Sequence, residues 1–448
     1  MMSNTFKRGI HPGDRKELTK DIPVEAIAAP KTVVIPLSQH IGAPCNPLVK
    51  VGDTVYKGQK IGDNDTTPVS APVHSSVSGK VTAIKPCQNA NGGKMNSIVI
   101  ENDFQETLDP SIKGHGALED LSPEEIISII REAGIVGMGG ATFPAAAKIK
   151  FGLKQVDTVL INGAECEPYL TADYRAMLEM PEKVVFGLKA IMKAFGVNKG
   201  YIGVEDNKPD GIAKLTEAAK DEKDIEVMSL MTKYPQGGEK QLIYAITGRE
   251  VPSGKLPAEV GCAVFNLGTA IAVANAIQEG MPCIERILTV TGEVNQPKNV
   301  MAKVGTSFDY IINECCGGMK DGVDKVISGG PMMGVAQHNL EVPVTKGTSG
   351  ILLSSSKVCG YVENPTCIRC GKCIEACPMG LLPMYMNLYA SHGYIEEADK
   401  YNVLDCIECG ACTFVCPAKI HLVQEFRVAK GRVQELRKKK QAEAAAAK

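Results

Sequence analysis

Eight cysteines toward the C-terminal end of the chain fall into two copies of one spacing. Cys367, Cys370, Cys373 and Cys377 form a C-x2-C-x2-C-x3-C run closed by Pro378, and Cys406, Cys409, Cys412 and Cys416 repeat it before Pro417. Thiolates at this spacing are the ligands of 4Fe–4S cubanes, each of which needs four sulfurs arriving from different directions. Two-residue gaps wrap a short loop around three corners of a cube. The fourth cysteine starts a turn at its proline and leaves in the wrong direction to close the same cube, so it ligates the other one. Cys367, Cys370, Cys373 and Cys416 are therefore assigned to one centre, and Cys406, Cys409, Cys412 and Cys377 to the other. Gly371 and Gly410 let the backbone pass close to each cluster and aim amides at its sulfurs. Zinc ribbons use two C-x2-C pairs and need neither the third and fourth cysteine of each run nor the Cys-Pro. Disulfides belong to oxidising compartments, whereas the rest of the chain reads as cytosolic. The chemistry implied is one-electron conduction.

Three further loops have residues suited to a nucleotide. Gly134-Ile-Val-Gly137-Met-Gly139-Gly140-Ala-Thr-Phe143-Pro144 would let backbone amides approach a phosphate or a flat ring. It lacks the Gly-Lys-Ser/Thr of a Walker loop and is not a G-x-G-x-x-G after a strand, so a plain glycine-rich turn explains it equally well. Asn162-Gly163-Ala164-Glu165-Cys166-Glu167-Pro168 follows an apolar run. Its two carboxylates, one residue apart, suit ribose or ribityl hydroxyls, and a solvated acidic turn would use the same residues. Tyr234-Pro-Gln-Gly237-Gly238-Glu239-Lys240 again combines glycines and charge at the entry to a helix. The other eight cysteines, Cys45, Cys87, Cys166, Cys262, Cys283, Cys315, Cys316 and Cys359, carry no second metal spacing and read as small buried residues.

The elements that must position these groups are several. A chain of 448 residues is too long for one core. Net charge −2 gives no pull on nucleic acid, and the absence of Trp leaves little for base stacking. Met1 to Ile10 has no apolar signal core, and sixteen cysteines without one imply the cytoplasm. The uncharged run Gly261 to Gln278 is broken by Asn266, Gly268 and Asn275 and reads as strand–turn–helix rather than a membrane span. Residues from about Pro30 to Ile100 alternate apolar and polar with glycine turns. They resemble the barrel-sandwich fold of biotinyl and lipoyl carriers, but the tip Asp63-Asn-Asp-Thr-Thr-Pro68 has no Lys to modify. His74 reads as a surface or packing histidine. Ser122 to Gly280 alternates helices and strands, opening on the cap Ser122-Pro123-Glu124-Glu125. Arg286 to about Ile312 returns to strands. The tail puts Leu422, Phe426, Ala429, Val433 and Leu436 on one face beside Arg and Lys. That face suits a partner or an anionic bilayer, or a solvated, fraying helix.

The three loops, in this order and spacing, resemble the flavin- and NADH-binding subunit of respiratory complex I. That family has a glycine loop ending in Gly-Phe-Pro with a following Lys, then Asn-x-x-Glu-x-Glu-Pro, Gly-Glu-Glu and Asn-x-x-Thr, the last matched by Asn266-Leu-Gly-Thr269. Met138, Ala164 and Thr142 stand where that family usually has Arg, Asp and Gly. With a barrel-sandwich segment in front and two cluster motifs behind, the chain is similar over nearly its full length to the C-subunit family of the Rnf complex, a membrane-bound, ion-translocating ferredoxin:NAD oxidoreductase. Gly9-Ile10-His11-Pro12 and Gly329-Gly330-Pro331-Met332-Met333-Gly334 fit the same family.

The resemblance implies a multidomain α/β and α+β protein. Its expected parts are an N-terminal barrel-sandwich domain over 1–115 and an α/β FMN/NADH-binding domain over 116–280. An SLBB-like β-grasp domain over 281–350, a two-cluster ferredoxin-like domain over 351–420 and a basic amphipathic tail over 421–448 follow. FMN would lie on Gly134, Gly137, Gly139 and Gly140, with Lys148 near its phosphate. Asn162, Glu165, Gly237, Gly238, Glu239, Asn266 and Thr269 would complete the pocket. Phe143 would stack on the nicotinamide nucleotide and Glu167 would hold its ribose. No side chain is expected as a catalytic acid, base or nucleophile. The implied cofactors are two 4Fe–4S clusters, FMN and NAD(H). The implied partners are integral membrane subunits and an iron–sulfur subunit, met at the cytoplasmic face of the cell membrane. Two other readings stay open: a cobalamin (corrin) reductase of a bacterial microcompartment, and a non-catalytic iron–sulfur electron-transfer scaffold.

Overall fold

A computed structural model of the chain describes residues 4–355, 362, 363 and 365–446. Cys359 and the last two residues of the tail lie outside that range. Alternating sequence between Thr32 and Asn102 builds two small antiparallel sheets. Thr32–Pro36, Lys94–Asn102, Gly79–Gln88 and Thr54–Val55 form one, and Asn46–Pro47, Lys60–Asp63 and Val73–His74 form the other. Inward residues of both, among them Val33, Ile35, Val55, Ile61, Val73 and Ile98, share one core. The tip after Asp63 is not a free end: Asp63 accepts from Arg131 at 2.7 Å, which ties it to the next domain. His74 is buried rather than on the surface.

The second unit is a wholly parallel sheet in the order Ile225–Leu230, Gly200–Glu205, Thr158–Gly163, Cys262–Asn266. Parallel strands need crossovers, which helices supply. Period-two alternation divides the central strand between two cores. Val159 and Ile161 face the core of helices Pro123–Glu132, Pro181–Phe195 and Leu267–Glu279, whereas Leu160 faces Leu242 and Ile243 of helix Glu239–Thr247. The first of these helices starts on a full capping box: Ser122 Oγ accepts from Glu125 N, and the Glu125 carboxylate accepts from Ser122 N. Strand Cys262–Asn266 runs straight into helix Leu267–Glu279 with no intervening turn, because Asn266 itself caps it through a 2.8 Å bond from Gly268 N.

A mixed six-stranded sheet forms the third unit, in the order Val24–Ala26, Lys298–Lys303, Glu285–Gly292, Gly350–Ser354, Lys325–Ser328, Val335–Gln337. Its edge strand Val24–Ala26 comes from the start of the chain and pairs with Lys298–Lys303. Helices dominate the last unit: Lys372–Ala376, Pro383–Ser391, Ile395–Lys400, Ala411–Phe414 and Leu422–Ala446. The amphipathic tail is part of this core. Leu422, Phe426, Ala429 and Val433 are buried against Met386, Ala398 and Val403, so the first half of that face is an internal seam and neither a docking face nor a fraying end. Leucine-type spacing alone cannot tell the two apart, since both need the same stripe. Among the described residues no helix is long and apolar enough to cross a membrane.

Candidate functional site: two thiol-lined cavities beside a parallel-sheet edge

Each cysteine run curls through the same backbone. Arg369 and Glu408, the residues before the second cysteines, have φ of 56° and 57°, and Gly371 and Gly410, just after them, have 79° and 81°. Left-handed residues on both sides of a cysteine fold the loop inward, and the glycines carry no strain there. The fold aims Arg369 N at Cys367 Sγ and Glu408 N at Cys406 Sγ, both at 3.4 Å. The structure then sorts the thiols by cavity. Cys377, Cys406, Cys409 and Cys412 line one, and Cys367, Cys370, Cys373 and Cys416 line the other. Among the described residues no three His, Cys, Asp or Glu side chains converge on a single ion. Four thiols spread around a cavity, with amides directed at their sulfurs, are a donor set suited to a cubane. Three thiols of the first cavity are buried, and burial raises Cys409 to about 12, so ligation there must displace protons. Cys367 and Cys370 of the second are exposed. The first is the inner cavity and the second the outer.

The other predicted residues gather at the C-terminal edge of the parallel sheet, the edge where α/β sheets bind ligands. Asn162 and Asn266 are register partners on adjacent strands there. Asn162 Nδ2 donates to Gly237 O at 2.8 Å. The 137–143 loop closes on itself through Gly137 N to Phe143 O, 2.8 Å, and is held from below by Thr269 Oγ1, which accepts from Met138 N and donates to Val136 O. Gly139 lies over Asn266, and Gly140 is exposed with open space beside it. Phe143 is half-buried and packs toward Phe151, ring centroids 6.4 Å apart. Lys148 Nζ donates to Glu239 at 2.8 Å and to Val264 O at 2.6 Å. Helices Glu239–Thr247 and Leu267–Glu279 both begin at this edge, at Gly238 and Asn266. Helix N-termini, a lysine and bare glycine backbone suit a phosphorylated flavin.

Three predicted residues have other neighbours. Gly134 ends helix Pro123–Glu132 and packs on the barrel-sandwich unit, its carbonyl accepting from Lys346 Nζ at 2.6 Å. Glu165 accepts from Asp173 N and Tyr174 N, at 2.7 and 3.2 Å, and so caps helix Ala172–Glu179. Burial pushes its carboxyl up to about 7, although Lys16 Nζ stands 3.9 Å away. Glu167 turns its carboxylate to the 330–334 loop, accepting from Met332 N at 3.1 Å and Met333 N at 2.8 Å. A Cβ on Gly330 would collide with it.

Several participants carried no signal in the sequence. Asp173 accepts from Asn266 Nδ2 at 2.8 Å and so orients it. Cys166 Sγ accepts from Gly237 N at 3.3 Å. Arg286, buried, donates from Nη2 to Met138 O at 3.1 Å, bringing a guanidinium to the glycine loop. Tyr234 O–H donates to Cys409 O at 2.5 Å and lies against the Glu167 carboxylate. The arm before Lys16 braces this contact. Ile10 pairs with Tyr234 and packs with Cys409 and Ala411, and Arg8 donates to Ile374 O at 3.2 Å. The inner cavity is thereby bonded to a residue three positions before Gly237.

Family descriptions match the units in chain order. An RnfC barrel sandwich hybrid domain covers residues 4–105, a Nuo51 FMN-binding domain 130–275, an SLBB domain 287–336 and a 4Fe-4S dicluster domain 366–432. The chain is 50% identical over 437 residues to the C subunit of the Na(+)-translocating ferredoxin:NAD(+) oxidoreductase complex of Acetobacterium woodii, covering 97% of this chain and 98% of that one. It is 48% identical to the proton-translocating counterpart of Clostridium ljungdahlii, over 96% and 94%. It is 40% identical to the C subunit of the ion-translocating oxidoreductase complex of Rhodobacter capsulatus, over 98% and 85%.

Proposed function

Because this chain belongs to the family of C subunits of ion-translocating ferredoxin:NAD(+) oxidoreductase complexes, we propose that it is the NADH-reactive subunit of such a complex, seated peripherally on the cytoplasmic face of its membrane subunits. Bound FMN would supply hydride exchange with NAD(H), and two 4Fe–4S clusters would supply one-electron transfer. The residues of the chain bind and orient. Asn162, Asn266, Gly237 and the 137–143 loop hold the flavin at the sheet edge, with Lys148 and two helix N-termini toward its phosphate. Phe143, at the end of that loop, meets the nicotinamide nucleotide. The eight cysteines hold the clusters.

The single observation that carries the reading is the Tyr234–Cys409 bond, which joins the wall of one cluster cavity to the loop that enters the flavin edge. It supports an order: flavin edge, inner cluster, outer cluster, partner subunit. The exposed Cys367 and Cys370 of the outer cavity suit exchange with that partner. Two relatives of nearly equal identity are named for different ions, which supports an ion path through other subunits. The relatives' names favour this reading over a corrin reductase or a non-catalytic scaffold.

The test is a visible spectrum of chain purified without oxygen, with iron, sulfide and flavin assayed. Flavin bands should bleach on adding NADH, with cluster bands following. Cys370→Ser should keep the flavin bleaching and lose electron delivery to an external one-electron acceptor. Full iron content with no flavin uptake from added FMN would overturn the proposal.

A further inference from the structure

One helix separates the two thiol-lined cavities and shows each a different face. Pro383 and Met386, three positions apart, line the inner cavity, and Met384 and Asn387, also three apart, line the outer one. Offset by one residue, the two pairs point about 100° apart around a 3.6-residue turn. The inner cavity's other lining side chains are apolar, including Leu381, Ile407, Val423 and Phe426. Asn387 instead brings an amide to the outer cavity, and its Oδ1 is buried with no hydrogen-bond partner among the described residues. A buried amide oxygen left without a donor is destabilising unless something satisfies it. The oxygen and nitrogen of that amide exchange places by a half-turn, and a thiolate-ligated cluster offers only acceptors, so the NH2 end is the one that fits.

We propose that Asn387 donates a hydrogen bond to the outer cluster and, as a positioning residue, holds that cluster's reduction potential above the inner one's. The proposal rests on reading the two cavities as cluster sites. Peptide donors reach both sets of thiols, Arg369 N and Glu408 N at the same 3.4 Å, and the inner wall has no side-chain donor to match Asn387. Reduction adds an electron to an already anionic cluster. N–H donors and solvent stabilise the added charge, and an apolar wall does not. Cys367 and Cys370 are exposed while Cys377, Cys409 and Cys412 are buried, so exposure works in the same direction. Transfer from inner to outer cluster is then downhill.

The experiment is a redox titration of the full chain carrying both clusters, followed by electron paramagnetic resonance, with Cys370→Ser used to assign the outer cluster's signal. Asn387→Leu removes the donor at similar volume, and Asn387→Asp puts a carboxylate in the same shape. The outer midpoint should fall in both, further in the Asp variant, while the inner midpoint stays. Met386→Asn should raise the inner midpoint alone. Unchanged midpoints with both clusters intact would overturn the role of Asn387 and leave the cavities as cluster sites. Loss of the outer cluster in both Asn387 variants would also overturn it, because a donor that only tunes is dispensable for assembly. Failure of the unaltered chain to take up iron would sink the underlying reading instead.

Discussion

Glu167 shows how far a motif residue's work depends on what folds against it. Its sequence neighbours suggested a ribose ligand, yet its carboxylate accepts two N–H bonds from the 330–334 loop. Burial outweighs those bonds and pushes it up to about 7 from an ordinary 4.5. A carboxyl raised on folding binds more protons folded than unfolded between those values. Its contribution to stability is therefore intact at low pH and is lost as pH climbs from about 4.5 through about 7. Glu165 shifts the same way, so Glu167→Gln should remove part of the decline in Tm across that window. Thermal unfolding at stepped pH checks this, and a variant with the original slope would clear Glu167 of the effect. Tyr234→Phe leaves Cys409 O without its donor in a buried junction. It should cost about 1–3 kcal/mol in denaturant unfolding of the loaded protein, with flavin content unchanged.

Among the elements, the Leu422–Ala446 helix divides in two. Phe426 is fully buried and lines the inner cavity. Phe426→Ala should cost about 3–5 kcal/mol and lower the iron retained after gel filtration. Farther along, Lys440 pairs with Glu396 at 2.7 Å in the open, and Lys440→Ala should change stability by less than about 1 kcal/mol. Equal losses from the two variants would mean that the helix docks as a unit rather than through its first half. The sequence made the apolar stripe legible but not its destination, because a stripe buried within a domain and one offered to a bilayer have the same period. The cap at Ser122 was legible, and the structure adds the return bond from Glu125 that completes a capping box, both bonds joining residues three apart.

The whole molecule is held by contacts that leave their own domains. Lys346 reaches from the six-stranded sheet to Pro72 O of the barrel-sandwich unit and Gly134 O of the parallel-sheet unit, at 2.7 and 2.6 Å. Lys16, on the N-terminal arm, donates to Glu165 O and Glu167 O. The same arm lays Ile10 into the apolar contact between Tyr234 and Cys409. A charge there has no partner and must be hydrated, which opens the junction. Ile10→Asp should therefore leave flavin bleaching by NADH intact and slow the cluster reduction that follows, read by stopped-flow absorbance. Cluster reduction at the unaltered rate would show that the arm does not hold the two centres together.

What the sequence determined by itself was local. Two ligand runs of eleven residues each, a cap, the alternation of a barrel strand and the glycines of three loops are set by neighbours a few positions apart, where spacing and backbone geometry suffice. The tertiary structure alone decided which thiol-lined cavity meets the loop that begins at Tyr234, what Glu167 and Glu165 bind, and that Arg286 comes to the glycine loop. Tyr234 and Cys409 are 175 positions apart, and Arg286 and Met138 148. No periodicity reaches that distance; such pairs meet only because separate cores pack in one arrangement, and burial then sets their charge and their partners.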